Sequence, residues 1–142
     1  MTGTTRAAAP RVFFYFLRHF HKIDGIMAQA LANEDLTSGQ YTVLSALKRF
    51  EPCTSAELAR RQNMTAQSMG EYLSALEAKG LVERNYQNGN RRNLFVTRTE
   101  KGLAMQERCD RAVLAAEEAY LARLPAEERD QFVTNLTRLY QK

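Results

Sequence analysis

The chain has 142 residues, with 20 Lys and Arg against 16 Asp and Glu, and a formal net charge of +4. This length fits one domain with a buried core, and the mildly basic balance permits nucleic acid without requiring it. The two cysteines, Cys53 and Cys109, form neither a CxxC pair nor a metal-ligand spacing, which argues against a disulfide scaffold and a metal site. We therefore expect a single-domain cytoplasmic protein.

The N-terminal part predicts one long amphipathic helix. Residues 1–9 are expected to fray, and Pro10 suits a helix start. Apolar residues then recur at three- and four-residue steps from Val12 to Leu31. The apolar run at 12–17 is too short to span a membrane, so we expect no membrane or targeting segment. The first helix carries more aromatic surface than the core of one small domain would cover, which favours a partner chain.

Three capping boxes predict helix starts: Thr37 with Gln40, Thr54 with Glu57, and Thr97 with Glu100. Thr65 can cap a further helix by the same hydroxyl chemistry, and Gly80 is suited to end it. The helix opened by Thr97 is expected to run to about residue 120. Pro125 is predicted to begin the last helix, whose apolar positions reach Tyr140.

The segment between Thr54 and Lys101 is the most informative. It predicts a short helix, a turn, a longer helix over 65–79, and then two strands at 81–84 and 93–96 around a polar tip. The Asn88-Gly89 pair within this tip is a strong hairpin signal. This order is typical of a winged helix-turn-helix, which places one helix in the DNA major groove.

The predicted architecture is therefore mostly α, with about six helices and a two-stranded β-wing. Residues 36–99 form the expected winged helix-turn-helix DNA-binding region. Residues 10–34 and 100–142 supply the expected dimerisation helices. Five basic residues of the hairpin region outnumber its one acid: Arg84, Arg91, Arg92, Arg98 and Lys101 against Glu100.

The chain resembles the MarR family of bacterial transcription regulators over nearly its whole length. The resemblance rests on the order of several short motifs: Leu36-Thr37-x-x-Gln40-Tyr41-x-Val43-Leu44, Glu57-Leu58-Ala59, Leu76-Glu77-Ala78-Lys79-Gly80-Leu81-Val82-Glu83-Arg84, Asn90-Arg91-Arg92 and Thr99-Glu100-Lys101-Gly102. It implies a homodimer of six-helix protomers that binds pseudo-palindromic promoter DNA. It also implies frequent release by a small ligand or an oxidant.

Two positions depart from the family pattern. Asn90 stands where the family usually carries an acid that steadies the wing arginine. Glu71 stands where the recognition helix commonly carries an arginine. A carboxylate at Glu71 either repels phosphate or accepts a hydrogen bond from a cytosine amino group, and the sequence leaves both alternatives open.

Candidate DNA-binding residues follow from these elements. Thr65, Gln67 and Ser68 begin the predicted recognition helix, whose N-terminal residues reach base edges in such motifs, although capping and solvation explain them as well. Arg91 and Arg92 are expected to grip phosphate or enter a minor groove, against the alternative of a solubilising tip. Arg60 and Arg61 are further candidates for backbone contact.

The resemblance also suggests a ligand pocket lined by Phe16, His19, Phe20 and Leu44, although a plain core explains the same pattern. His19 and His21 are two residues apart and face different sides of a helix, so we expect no shared metal. The first helix has no cysteine, which disfavours oxidant sensing. We find no motif that indicates catalysis or a cofactor.

We therefore interpret the chain as a sequence-specific DNA-binding transcription regulator that acts as a homodimer. Its expected partners are double-stranded promoter DNA, a second copy of itself and a small-molecule effector. Repression is the expected sign of regulation, because a dimer on a promoter blocks polymerase. The alternative is a winged-helix protein-interaction module without DNA affinity.

Overall fold

A computed structural model describes residues 11–87 and 89–141, and in these ranges the chain is mostly helical. The predicted helix start at Pro10, the segment 1–9 that was expected to fray, and Asn88 lie outside the described residues. The elements in chain order are α1 Val12–Leu31, α2 Ser38–Phe50, β1 Cys53–Thr54, α3 Ser55–Arg61, α4 Ala66–Ala78, β2 Val82–Gln87, β3 Asn90–Arg98, α5 Glu100–Leu121 and α6 Ala126–Tyr140, with a short 3₁₀ turn Ala32–Glu34 after α1. This confirms the predicted fold class.

Two of the predicted capping boxes form as the sequence indicates. The Thr37 hydroxyl accepts a hydrogen bond from the backbone N–H of Gln40 at 3.1 Å, and the side-chain Oε1 of Gln40 accepts one from the backbone N–H of Thr37 at 3.2 Å. Thr54 and Glu57 make the same reciprocal pair at the start of α3. Each box satisfies backbone donors that the first helical turn leaves free, so the chain enters α2 and α3 at defined residues.

The third predicted capping box is wrong. Thr97 lies in β3, opposite Glu83 of β2, because the strand continues past the point where the sequence pattern suggested a helix. Thr99 caps α5 instead, accepting from the backbone N–H of Gly102 at 3.0 Å. The Thr99 hydroxyl also donates to the carbonyl of Gly80 at 2.6 Å, which ties the start of α5 to the end of α4.

The three strands form one antiparallel sheet in the order β1-β3-β2. β2 and β3, with the tip between them, form the wing, and both strands are longer than predicted. Gly89 at the tip has a φ of +77°, a backbone conformation that glycine adopts without steric cost. The sequence did not predict β1, whose two residues pair with Phe95 and Val96.

We call α2, α3, α4 and the three strands the head, and α1, α5 and α6 the body. The head encloses a continuous apolar core in which Leu44, Leu58, Leu73 and Val96 are fully buried. Leu31 of α1 and Cys109 of α5 belong to the same cluster and anchor the body to the head. The head is therefore complete within one chain.

Gly102 allows α5 to pack closely against the segment that follows α4. A Cβ atom at this position would lie 2.0 Å from the backbone oxygen of Leu81. Any larger residue would push α5 away from the head, so this glycine sets the distance between head and body.

The body leaves most of its apolar surface uncovered. Phe13, Phe20, Leu114 and Leu139 have exposed fractions of 83%, 65%, 55% and 76%. The described residues of α6 include none that is buried. In the described part of the chain, no helix is both long enough and apolar enough to cross a membrane.

One ion pair links the end of α2 to the end of the wing. The guanidinium of Arg98 donates to a carboxylate oxygen of Glu51 at 2.6 and 3.1 Å, and the Arg98 backbone N–H donates to the other oxygen at 2.8 Å. Burial alone would raise the pKa of Glu51, but the hydrogen bonds and charge of Arg98 outweigh it and lower that pKa. The pKa of Glu51 is lower in the folded state than in the unfolded state. The ion pair therefore stabilises the fold fully at pH values above the unfolded-state pKa. That contribution is lost as pH falls through the folded value.

Glu51→Gln should lower the free energy of unfolding by about 1.5–3 kcal/mol at neutral pH, since it weakens charge-assisted hydrogen bonds in a partly buried site. Urea unfolding of both proteins should be measured from neutral pH to about pH 3. The difference in their free energies of unfolding should shrink as the pH falls below the usual pKa of a glutamate. A difference that stays constant over this pH range would contradict the assigned role of the Glu51 carboxylate.

Candidate nucleic-acid interface

Helix α4 presents a polar stripe on the side opposite its buried face. Its buried side chains are Met69, Leu73 and Leu76, which pack into the head core. Gln67, Glu71 and Ser74 are exposed and follow one another at steps of four and three residues, so they share one outward face. This face is the candidate surface for a base edge.

The first turn of α4 is fixed by Thr65 and Ser68. The Thr65 hydroxyl accepts from the backbone N–H of Ser68 at 3.1 Å and donates to the Ser68 hydroxyl at 3.0 Å. Capping is thus one confirmed role of Thr65. Thr65 is exposed and Ser68 is half-buried, so both stand at the edge of the outward face.

Gln67 is joined to Glu71 one turn later. The side-chain Nε2 of Gln67 lies 3.3 Å from Oε1 of Glu71, and both side chains are exposed. The carboxylate at Glu71 therefore has a partner within its own helix. The sequence showed the spacing of these residues but not this contact.

The tip of the wing carries two exposed arginines, Arg91 and Arg92. Oδ1 of Asn90 accepts a hydrogen bond from the backbone N–H of Arg92 at 3.0 Å. Asn90 therefore braces the backbone of the tip, a role that needs an acceptor but not a charge. This gives Asn90 a structural role at the position where the family usually carries an acid.

Two other arginines of the hairpin region are engaged inside the head. Arg98 is paired with Glu51, and Arg84 lies 3.5 Å from Glu77 and donates to Ser74 at 3.3 Å. The predicted basic excess of this region is therefore reduced to the tip of the wing and to Lys101. In the sequence Arg84 only adds charge, but in the fold it connects β2 to α4.

Arg60 and Arg61 lie in the last turn of α3, and both are exposed. The Arg61 guanidinium lies 4.6 Å from the centre of the Phe50 ring, a cation–π distance. Its position is thus fixed by α2, whereas the Arg60 side chain extends from the surface of the head.

The predicted ligand-pocket residues separate into two groups. Phe16, His19 and Phe20 line an apolar groove of about 970 Å³ between α1, α5 and α6. The ring nitrogen Nδ1 of His19 is hydrogen-bonded to the hydroxyl of Tyr120 across this groove. The prediction for Leu44 is wrong, because this residue is fully buried in the head core and does not line the groove. In the sequence, an apolar residue of α2 that faces a core has the same spacing as one that lines a pocket.

Neither cysteine lies in an environment that activates a thiol. Burial raises the pKa of Cys53, and the carboxylate of Glu57 adds to this effect. Burial also raises the pKa of Cys109 to about 11. A high pKa keeps a thiol protonated and unreactive. Within the described ranges, no three His, Cys, Asp or Glu side chains are grouped as metal ligands would be.

Comparison with known proteins supports this description of the head. Residues 34–92 match the model of the MarR family. The protein of Mycobacterium tuberculosis strain H37Rv named HTH-type transcriptional repressor Rv2887 is 34% identical over 113 residues, which cover 80% of this chain and 81% of that protein.

Solved structures of the same mycobacterial protein have a similar fold. Its complex with DNA gives a TM-score of 0.79 at 31% identity and covers 94% of this chain and 99% of that one. Its complex with salicylic acid gives a TM-score of 0.77 at 32% identity, with coverage of 94% and 98%.

Proposed function

Because this chain belongs to the MarR family, we propose that it is a transcription repressor that binds promoter DNA as a homodimer. The observation that carries this proposal is the exposed polar face of α4 on the same head as the basic tip of the wing. The similar mycobacterial repressor has been solved in complex with DNA, which adds support. The role is non-catalytic, and its place is the cytoplasm, where bacterial DNA lies.

Within this proposal, residues 36–99 are the DNA-binding region. Helix α4 enters the major groove, where Gln67 and Ser68 face base edges and Thr65 fixes the start of the helix. Arg91 and Arg92 extend from the wing to the phosphate backbone or the adjacent minor groove. Arg60 and Arg61 are placed for contact with the backbone.

Residues 10–34 and 100–142 contain the dimerisation helices. The exposed apolar side chains of α1, α5 and α6 lie on the three helices that border the groove. Water contact with such a surface is unfavourable by roughly 25 cal/mol per Å², so a second copy that covers it stabilises both chains. Two linked heads then meet two half-sites, which matches the symmetry of a palindromic operator.

The groove also suggests a small-molecule effector. Phe16 and Phe20 supply apolar walls, and His19 supplies a polar group that suits a small aromatic acid. A similar protein has been solved with salicylic acid. Salicylate should then raise the apparent Kd for operator DNA, and an unchanged Kd under saturating salicylate would contradict this effector class.

The dimer can be tested with Phe20→Lys, which places a charge on the exposed apolar face of α1. The substitution should raise the Kd of dimerisation at least about tenfold, because the ammonium group must lose water in the interface. Sedimentation equilibrium measures this. Leu94→Lys, at an exposed leucine of the wing, is the control for the added charge and should leave the dimer intact. A stable wild-type monomer at micromolar concentration would overturn the dimer.

Wing and recognition-helix variants should fail in different ways. Arg91→Ala removes a phosphate contact, so the slope of log K against log salt should fall by about 0.9 with similar losses on all sequences. Gln67→Ala removes a base-edge contact and should cost about 1–3 kcal/mol on the operator alone.

Fluorescence anisotropy on operator and scrambled duplexes at several salt concentrations separates these two effects. Arg111→Ala, an exposed arginine of the body, is the matched control for charge and should leave the slope unchanged. If the wild-type protein binds neither duplex at low salt, the DNA-binding proposal is wrong. The protein-interaction alternative would then take its place.

A further inference from the structure

We propose that Gln67 and Glu71 act as one reading unit that selects adenine in the major groove, with Glu71 as the positioning residue. This inference rests on the proposed DNA-binding function and specifies the base that α4 reads. It starts from the hydrogen bond between the two side chains, which lie one turn apart on the outward face of α4 at a distance of 3.3 Å.

The chemistry of this bond fixes the orientation of the Gln67 amide. Carboxylate oxygens only accept hydrogen bonds, so the amide nitrogen of Gln67 must be the atom that faces Glu71. One of its two N–H groups is used in this bond. The carbonyl oxygen and the second N–H of the amide remain available to a ligand in front of the helix.

This remaining edge is complementary to adenine. In the major groove adenine presents a donor at its N6 amino group and an acceptor at N7, and a glutamine amide can meet both at once. Guanine presents acceptors at O6 and N7, so the carbonyl oxygen of Gln67 would face another acceptor. A Gln67 amide that is free to rotate could meet guanine with its N–H groups, whereas one held by Glu71 is turned toward adenine.

The amino-acid composition of this face also favours adenine over guanine. From Ala66 to Ser74 the sequence contains no lysine or arginine, so the outward face lacks the guanidinium that commonly reads guanine. Gly70 lies between Gln67 and Glu71 in the chain, and a Cβ atom built there would meet nothing within 4 Å. A base edge can therefore approach the helix beside the pair without a steric obstacle.

The test begins with an operator selected by the wild-type protein from random duplexes. Each adenine of a half-site is replaced in turn by 2-aminopurine, which still pairs with thymine but lacks the N6 amino group. A second series uses 7-deazaadenine, which lacks the N7 acceptor. At one adenine per half-site, each analogue should weaken wild-type binding by about 5- to 150-fold, the range of a good base contact. Gln67→Ala should be insensitive to both analogues there.

Variants at Glu71 separate positioning from simple repulsion of phosphate. Glu71→Ala should reduce the ratio of affinities for adenine and 2-aminopurine at that site. Glu71→Gln offers a donor as well as an acceptor, so it no longer fixes the Gln67 amide and should lower the ratio as Glu71→Ala does. Glu83→Ala removes an exposed acid of β2 and is the control for charge, since it should change the affinity of all duplexes alike.

Three results would overturn this inference while leaving DNA binding in place. One is a wild-type protein that does not distinguish adenine from its analogues at any half-site position. Another is Glu71→Ala that tightens binding with an unchanged adenine ratio, and the third is a loss of discrimination at a cytosine instead. If selection enriches no duplex over scrambled DNA, the proposed function itself fails.

Discussion

The chain can close only one of the two apolar cores that its sequence provides, and the rest of the structure depends on this constraint. In the head, leucines from α2, α3 and α4 are removed from water completely. In the body, α1, α5 and α6 form a groove and leave large apolar side chains in solvent. The head is therefore a complete folded unit within one chain, whereas the body exposes the surface proposed for dimerisation.

The head and the body are joined by a partly buried polar cluster between α2 and α5. The hydroxyl of Tyr41 donates to Asp110 at 2.7 Å, and the buried amide of Gln106 donates to Asp110 at 2.9 Å and to Ser45 at 3.0 Å. Burial, together with the Asp110 hydrogen bond, raises the pKa of Tyr41 to about 12. Such a cluster requires specific geometry, since the buried amide nitrogen of Gln106 would lose its acceptors if Asp110 or Ser45 were misplaced.

This joint matters for DNA recognition because α5 connects the head to the dimerisation surface. The hydrogen bonds of Asp110 and the close approach of Gly102 to Leu81 hold α5 at one position relative to the head. In a dimer, the spacing of the two α4 helices would then follow from the packing of the bodies. An effector in the groove between α1, α5 and α6 would act on the same packing, and so on the distance between the two heads.

The sequence predicted those features that depend on local chemistry. The capping boxes at Thr37 and Thr54 formed as expected because each involves residues within one helical turn. The wing and α4 were predicted for the same reason, with Gly80 and Gly89 both at positive φ. Sequence patterns are sufficient to predict a feature when its hydrogen bonds and backbone angles involve only residues that are close in the chain.

The remaining features depend on contacts between distant segments. Thr97 has the spacing of a cap, but pairing with Glu83 keeps it in a strand. β1 has only two residues, so it carries no alternating pattern, and it exists because β3 is beside it. Arg98 was counted as surface charge until the fold placed Glu51 against it. Leu44 has a helical apolar pattern that fits a core and a pocket equally well.

Two copies of this chain, joined through their bodies, are proposed to read one operator. The most direct test is the mass of the complex with a single selected operator duplex, measured by analytical ultracentrifugation. If two copies read one operator, the complex contains two chains per duplex, and a duplex cut to one half-site binds much more weakly. A complex of one chain per duplex, with equal affinity for the half-site, would contradict reading by a dimer.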